Sequence, residues 1–321
     1  MELAISVIIC THNPKPDYLD QVLVALKSQT LFYEQWELLL IDNASEKILS
    51  SEIDLTWHPN AYHIREEELG LTPARLRGIR EAKAKILVFV DDDNVLDSDY
   101  LEVTLQISKD FPFLGAWGGQ IKGKFEKTPP DWAKPYLRFL AIREFEQDAW
   151  SNLLNQYETT PCGAGMCVRK IVAQKYAQLV KHDSLRLGLD RKGVARQGEI
   201  LVSCGDSDLA FTSCDIGLGT GQFTALKLTH LIPANRLTEE YLVRLVEGIT
   251  YSHLILDSFR GKAPTPTITS WKKQILTYFR LLKMNSKERR FFKANKRAKA
   301  LAMQKIVLFQ ESITTLDICS E

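Results

Sequence analysis

The sequence has no glycine-rich phosphate cradle: neither GxxxxGK[ST] nor GxGxxG follows its first apolar run. Any phosphate it handles is therefore held in another way, and a metal ion has to take more of that work. No stretch approaches eighteen uninterrupted apolar residues, so no membrane-spanning helix is expected. The first residues, MELAISVII, lack the basic region, long apolar core and small-residue cleavage site of a secretory signal. The six cysteines form no CxxC pair, which points to reduced, buried thiols rather than a zinc or redox site. Together these absences lead us to expect a cytoplasmic protein. Net charge is nearly absent as well, +1 over 321 residues, which ordinarily argues against nucleic acid as a partner.

That near-neutral total hides an asymmetry. Residues 262–299 contain twelve Lys or Arg against one acid, Glu288, so this segment carries +11 and the remainder −10. An acidic body with a basic tail suggests an anionic surface as the tail's partner. Within the tail, Trp271, Ile275, Tyr278 and Leu282 recur at helical spacing, while Lys272, Lys273, Arg280 and Lys283 fall off that stripe. A helix packed on the body with a solvated outer face would look like this. So would one lying on anionic lipid, where each Lys or Arg near the surface contributes on the order of 1 kcal/mol. No nucleic-acid reading motif accompanies the charge.

What the chain does have is a stretch, residues 86–95 (ILVFVDDDNV), in which five apolar residues run into three aspartates and an asparagine. A run without alternation is expected of a strand covered on both faces in a parallel sheet. Ligands gather beyond the carboxyl ends of such strands, which puts Asp91, Asp92 and Asp93 at the lip of a crevice. Adjacent carboxylates repel by roughly 1 to 4 kcal/mol per close pair between water-like and surface-like dielectrics. A divalent cation compensates, and Mg²⁺ or Mn²⁺ suits carboxylate and phosphate oxygens. The competing use, capping the next helix, already has candidates in Asp97, Ser98 and Asp99.

The same theme recurs. Residues 5–10 (ISVIIC) end in Thr11, His12, Asn13 and Pro14, and after a helical stretch opened by Asp17, residues 37–41 (ELLLI) end in Asp42, Asn43, Ala44 and Ser45. Strand, helix and strand with polar carboxyl ends make a parallel βαβ unit. A helical run at residues 72–84, carrying Arg75, Arg77 and Arg80, leads into the aspartate-tipped strand.

These segments, SVIICTHNP, ELLLIDNAS and LTPARLRGIREAKAKILVFVDDDN, resemble the inverting, nucleotide-sugar-dependent glycosyltransferases of family 2 over about residues 4 to 240. The resemblance implies an α/β GT-A fold with a mostly parallel central sheet flanked by helices. It implies a catalytic domain at residues 1–240, divided into a nucleotide-binding half (1–95) and an acceptor half (96–240), with a basic, amphipathic helical extension at 241–321. It further implies that Thr11, Asn13, Asp42 and Asn43 border the nucleoside, that Arg75 reaches the base or ribose, and that Asp91, Asp92 and Asp93 form the DxD region. Asp93 would be the direct ligand of Mn²⁺ or Mg²⁺. Leu76 departs from the Asn that usually follows the matching Arg.

Farther on, residues 114–124 (LGAWGGQIKGK) read as a twisted strand, and the loop with Pro129, Pro130, Trp132 and Pro135 as a lid candidate. Residues 160–169 (TPCGAGMCVR) are similar to the family's glycine-alanine segment at the donor sugar, through Gly163 and Gly165; a structural bulge is the alternative. Residues 177–198 show no clear pattern and suggest a flexible excursion over the acceptor. Residues 200–209 (ILVSCGDSDL) again deliver acids. Aligned on Leu209 with the family signature Glu-Asp-x-x-Leu, Asp206 takes the place of the catalytic aspartate and Gly205 that of the Glu. Helix capping by Asp206 and Asp208 is the alternative. His230, near the end of an apolar run at 225–232, is a candidate second metal ligand or a structural histidine.

The expectation is thus transfer of a sugar from a UDP- or GDP-sugar to a glycan or lipid-linked acceptor, with Asp206 as the base. A metal-dependent nucleotidyltransferase, which would release pyrophosphate, and a non-catalytic nucleotide-sugar-binding protein are the alternatives.

Overall fold

A computed structural model describes residues 3–181, 183–190, 200–262 and 271–318, with side chains at 272–274 and 310–318 outside the description. In chain order the elements are β1 (Ile5–Thr11), α1 (Pro16–Lys27), β2 (Trp36–Asn43), β3 (Ala61–Glu66), α2 (Leu71–Glu81), β4 (Ile86–Asp91), β5 (Asn94–Leu96), α3 (Tyr100–Asp110), β6 (Leu114–Phe125), β7 (Ala149–Ser151), β8 (Cys167–Arg169), α4 (Lys170–Lys181), α5 (Ser184–Leu187), α6 (Gly205–Asp215), β9 (Gly219–Ile232), α7 (Glu239–Ser258), α8 (Trp271–Lys283) and α9 (Ser286–Ile318). A 3-10 helix, Asp131–Leu140, occupies the proline-rich loop.

The strands join one sheet in the order β3-β2-β1-β4-β8-β6-β9-β5, with β7 also paired to β9. β1 to β4 form the parallel half. Beyond β4 the sheet is mixed: β6 and β9 run parallel, whereas β8 is antiparallel to both neighbours and β5 and β7 are antiparallel to β9. The expected parallel pairing thus holds through the first half and again between β6 and β9, while short strands such as β8, which enter from loops rather than from crossover helices, are antiparallel.

The unbroken apolar runs are explained by burial on both faces. Ile5, Val7, Ile9, Val88 and Val90 pack with Leu19, Val22 and Leu26 of α1 and Leu101 of α3. The intervening Ile8, Leu87 and Phe89 pack with Ala74 and Ile79 of α2 and with Val172 and Tyr176 of α4. Each fully buried side chain of this size contributes roughly 1.5 to 3 kcal/mol, and the period-2 pleat delivers them alternately to the two layers.

Because β1 lies between β2 and β4, the chain changes direction across the sheet at β1, and a crevice opens at the carboxyl ends there. Register aligns those ends: Thr11 is opposite Asp42, and Cys10 is opposite Asp91.

The chain divides into two compact units, Met1–Val194 with Gly205–Ala234, and Ala195–Cys204 with Asn235–Glu321. In the second unit, α7 and α9 pair through Glu239, which faces Lys287 at 2.9 Å and Arg290 at 2.7 Å, and through Glu247, which is bonded to Arg297. Three of the tail's cations are thereby matched within their own unit. The basic face of α8 at Lys272 and Lys273 and the Pro264–Pro266 joint lie outside the described side chains and residues, respectively.

Candidate active site

The aspartate turn after β4 is braced from within. The Asn94 side chain, fully buried, accepts the Asp91 N–H at 3.2 Å and donates to Asp93 at 2.9 Å. Thr11, at the end of β1, donates its hydroxyl to Asp92. Asp93 is buried, and its carbonyl accepts the Leu231 N–H at 2.8 Å, which ties the turn to β9. Burial first, then the neighbouring Asp93 charge, pushes the Asp91 carboxyl above its ordinary range, against the pull of Arg75 and His230.

His230 completes this edge, since β5 pairs with β9 so that Asn94 stands opposite His230. Its Nδ1 lies 3.0 Å from the Leu140 carbonyl, which can only accept, so Nδ1 carries the hydrogen. The other nitrogen, Nε2, stands 3.4 Å from Asp93 Oδ2. A neutral imidazole bonded in this way directs a lone pair at a carboxylate, so a proton or a cation belongs between the two. A metal-binding histidine commonly has its second nitrogen fixed by a backbone carbonyl. Asp93 and His230 together offer one carboxylate and one imidazole, donor types that suit Mn²⁺ or Mg²⁺. Among the described residues, no group of three or more His, Cys, Asp or Glu side chains is gathered closely enough to hold a metal alone. For these ions the remaining positions ordinarily come from substrate phosphates and water.

Arg75 reaches the same cluster from α2. It is buried, and burial works against its charge, but Asp190, Asp206 and Asp91 together outweigh that cost and raise its pKa. Its Nη1 is 3.1 Å from Asp190, and its Nη2 would lie 2.6 Å from a Cβ at Gly163. Gly163 is needed for that close approach, and its N–H donates to Asp206 at 2.7 Å. Gly165 has a different reason to be glycine. It adopts φ +70°, a Cβ there would meet Leu228 at 2.5 Å, and its carbonyl accepts the Tyr100 hydroxyl at 2.6 Å. Gly163 is therefore at the cluster, whereas Gly165 packs against Leu228 and Tyr100.

The two acids of α6 have separate environments. Asp206 is half-buried and accepts the N–H groups of Gly163 and Ser207, each at 2.7 Å. Asp208 is 0% exposed and receives Arg186 on both oxygens, at 2.6 and 2.7 Å.

At the ends of β1 and β2 the polar side chains expected at the nucleoside are engaged in holding the edge together. Asp42 accepts the N–H groups of Ser45 and Leu49 and the Arg65 guanidinium at 2.8 Å. Burial alone would raise its pKa, but these bonds prevail and lower it. Asn43 bonds the carbonyls of Glu66 and Glu68 and the Gly70 N–H. Asn13, with φ 48°, bonds Ser45 and Glu46. Beside them a cleft of about 130 Å³ is lined by Glu68, Leu69, Gly70, Thr72, Pro73, Leu187 and Asp190. That is below the roughly 300 to 1,000 Å³ of ordinary ligand pockets; it extends the cluster through Thr72 and Asp190 rather than forming a separate site.

Sequence reasoning missed Arg65, Arg186 and Asp190. The stretch expected to be a flexible excursion is folded as far as 190: α4 runs to Lys181, and Asp183 caps α5 through the N–H groups of Leu185 and Arg186. An Asp before SLRLG was a legible helix start with a glycine stop; the ion pairs that follow had no sequence signal. Residues 191–199 lie outside the described residues. Leu76 is not polar because it packs against the α2–α4 side of the sheet.

The sequence profile of glycosyl transferase family 2 matches residues 6–173. Among solved structures, residues 1–349 of S. aureus TarS superpose with a TM-score of 0.53 at 14% identity, covering 95% of this chain and 82% of that one. The same fragment in complex with UDP-GlcNAc gives 0.53 at 14% identity, over 91% and 79% of the two chains. The mannosyltransferase PcManGT from Pyrobaculum calidifontis, in complex with GDP-Man and Mn²⁺, gives 0.55 at 18% identity, over 99% and 81%. At such identities these likenesses concern the fold. No curated protein sequence matches significantly.

Proposed function

The chain belongs to glycosyl transferase family 2, and from that membership we propose that it transfers a sugar from a UDP- or GDP-sugar to an acceptor hydroxyl with inversion, using a divalent metal ion. The observation that carries this reading is geometric: Asn94 ties Asp91 to Asp93, which faces His230, and Arg75 and Asp206 meet at Gly163. Sugar transfer needs a counter-charge for the departing diphosphate and a base for the acceptor hydroxyl. Mn²⁺ or Mg²⁺, when bound by Asp93 and His230 with Asp91 beside them, supplies Lewis-acid neutralisation of that diphosphate. Asp206 takes the hydroxyl proton; a base opposite the leaving group gives a single displacement with inversion. The nucleoside end of the donor is assigned to the edge shaped by Thr11, Asn13, Asp42 and Asn43. Solved relatives of similar fold bind UDP-GlcNAc and GDP-Man, which supports the donor class.

Nucleoside diphosphates with Mn²⁺ are expected to stabilise the protein, by about 2.7 kcal/mol at 100 times the dissociation constant. In a thermal-shift titration Asp93→Ala should lose the Mn²⁺-dependent part of that stabilisation. A variant that responds to nucleotide and Mn²⁺ as wild type does would refute the metal assignment. Free pyrophosphate as a product would instead mark nucleotidyl transfer.

The acceptor is proposed to be a glycan or lipid-linked molecule presented at an anionic membrane, to which the protein binds peripherally from the cytoplasmic side. No helix among the described residues is long and apolar enough to cross a membrane. α8 instead exposes Trp271, Ile275, Tyr278 and Leu282, together with Leu276 and Phe279, a wider apolar face than the spacing alone suggested. Co-sedimentation with anionic vesicles is expected, weakening with salt because the ionic part is screened over about 8 to 10 Å. Glutamine at Lys272, Lys273, Arg280 and Lys283 should reduce it several-fold. Unchanged binding in that variant, or none by wild type, would leave α8 as a packing element.

A further inference from the structure

Asp190 belongs to no motif, yet donors from two helices converge on its buried carboxylate. Oδ2 accepts the Thr72 hydroxyl at 3.0 Å and the Arg75 guanidinium at 3.1 Å, both from α2. Oδ1 accepts the Gly205 N–H, the first of α6, at 3.2 Å. One acid therefore joins the helix that carries Arg75 to the helix that carries Asp206.

The fit is closest at Gly205. A Cβ there would lie 2.2 Å from Asp190 Oδ2, 2.6 Å from Cγ and 2.8 Å from Oδ1, and these are its three nearest neighbours. No side chain at 205 is compatible with the present place of Asp190. Conversely, with Asp190 removed, the space beside that Cβ opens. The carboxyl carbon of a glutamate lies about 2.5 Å from its own Cβ, two tetrahedral bonds away. A glutamate at 205 therefore has the reach to bring its carboxylate into the space that the Asp190 carboxylate now fills.

We propose that Asp190 is a positioning residue for the transfer reaction. It fixes one edge of the Arg75 guanidinium so that the other edge lies at Gly163 beside Asp206, and it holds the first turn of α6 at the distance that presents Asp206 to the acceptor. It acts through Arg75 and Asp206 and touches no substrate. Without its charge, Arg75 remains buried within the field of the Asp206 and Asp91 carboxylates, and the guanidinium turns toward them. An internal ion pair then occupies the base, and the geometry of the acceptor step is lost while the donor edge at Thr11 and Asp42 is untouched. This inference rests on the proposed function, in which Asp206 is the base.

Moving the carboxylate tests it. Steady-state kinetics should be measured for wild type, Asp190→Asn, Gly205→Glu and the double variant Asp190→Ala/Gly205→Glu. Asp190→Asn is expected to lower kcat by about 10- to 100-fold, the scale of a misplaced catalytic group, with donor KM changed less than about threefold. Gly205→Glu alone should be impaired as severely, because its Cβ and charge meet Asp190. The double variant should recover to within about threefold of wild-type kcat, an outcome that depends on where the carboxylate is, not on which residue bears it. Wild-type kcat in Asp190→Asn, or a double variant no more active than the worse single one, overturns the proposal, and should Asp190→Asn fail to fold, the double variant decides. Absence of sugar transfer by wild type would instead refute the functional reading on which the inference rests.

Discussion

Asp206→Asn is expected to retain donor binding and to lose sugar transfer by at least about 10²-fold, the lower end of what a general base usually contributes. The choice of Asp206 over Asp208 follows from their surroundings. Asp208 has both oxygens on Arg186 and no solvent exposure, so no acceptor hydroxyl can approach it. Asp206 is half-buried and takes one backbone N–H on each oxygen, which orients the carboxylate and leaves lone pairs for a proton. Asparagine preserves the size but has only one accepting oxygen, so one of those N–H groups loses its partner at a cost of about 1 to 3 kcal/mol. Donor binding by thermal shift is therefore measured alongside transfer, and a variant that binds donor but does not transfer separates chemistry from folding. Full transfer by Asp206→Asn would overturn the assignment. So would a loss confined to Asp208→Asn in protein that is still folded.

Much of this site is legible in the sequence because it sits where apolar runs stop. β1, β2 and β4 carry apolar runs at residues 7–10, 38–41 and 86–90, so the polar residues that end those runs, Thr11, Asp42 and Asp91, mark the sheet's carboxyl edge. Parallel register then brings them side by side. The roles within the edge were less legible. Asp42, Asn43 and Asn13 spend their side chains on loops 44–49 and 66–70, and nothing in a local pattern distinguishes a side chain that meets a ligand from one that holds the loop that does.

Asp190 and Arg186 show a different limit. Their partners are 115 and 22 residues away in the chain, and they lie in a stretch without periodicity. Their meaning depends on α2, α5 and α6 meeting, which no window of sequence contains. Gly205 gave a partial signal, since the family signature expects an acid there. The structure fills the space beside it with the carboxylate of Asp190.

Arg186→Met is expected to destabilise the protein by about 3 to 5 kcal/mol, the usual consequence of removing one partner from a buried ion pair. The magnitude follows from desolvation. Asp208 is wholly buried, and its charge is met by a two-point Arg186 contact with distances of 2.6 and 2.7 Å; Asp183 adds a second carboxylate 3.5 Å from the same guanidinium. Replacing Arg186 by an apolar side chain of similar length keeps the volume and removes the guanidinium that contacts both oxygens of the buried Asp208 charge, in a medium that solvates that charge poorly. The pair itself need not add net stability, since two charges were taken from water to form it. The double variant Arg186→Met/Asp208→Leu is therefore expected to recover most of the loss. Urea midpoints for wild type, both single variants and the double variant complete the cycle. A single-variant loss below about 1 kcal/mol would place the pair among surface-like contacts. A double variant as unstable as Arg186→Met would mean that α5 and α6 are joined by the shape of these two side chains and not by their charge.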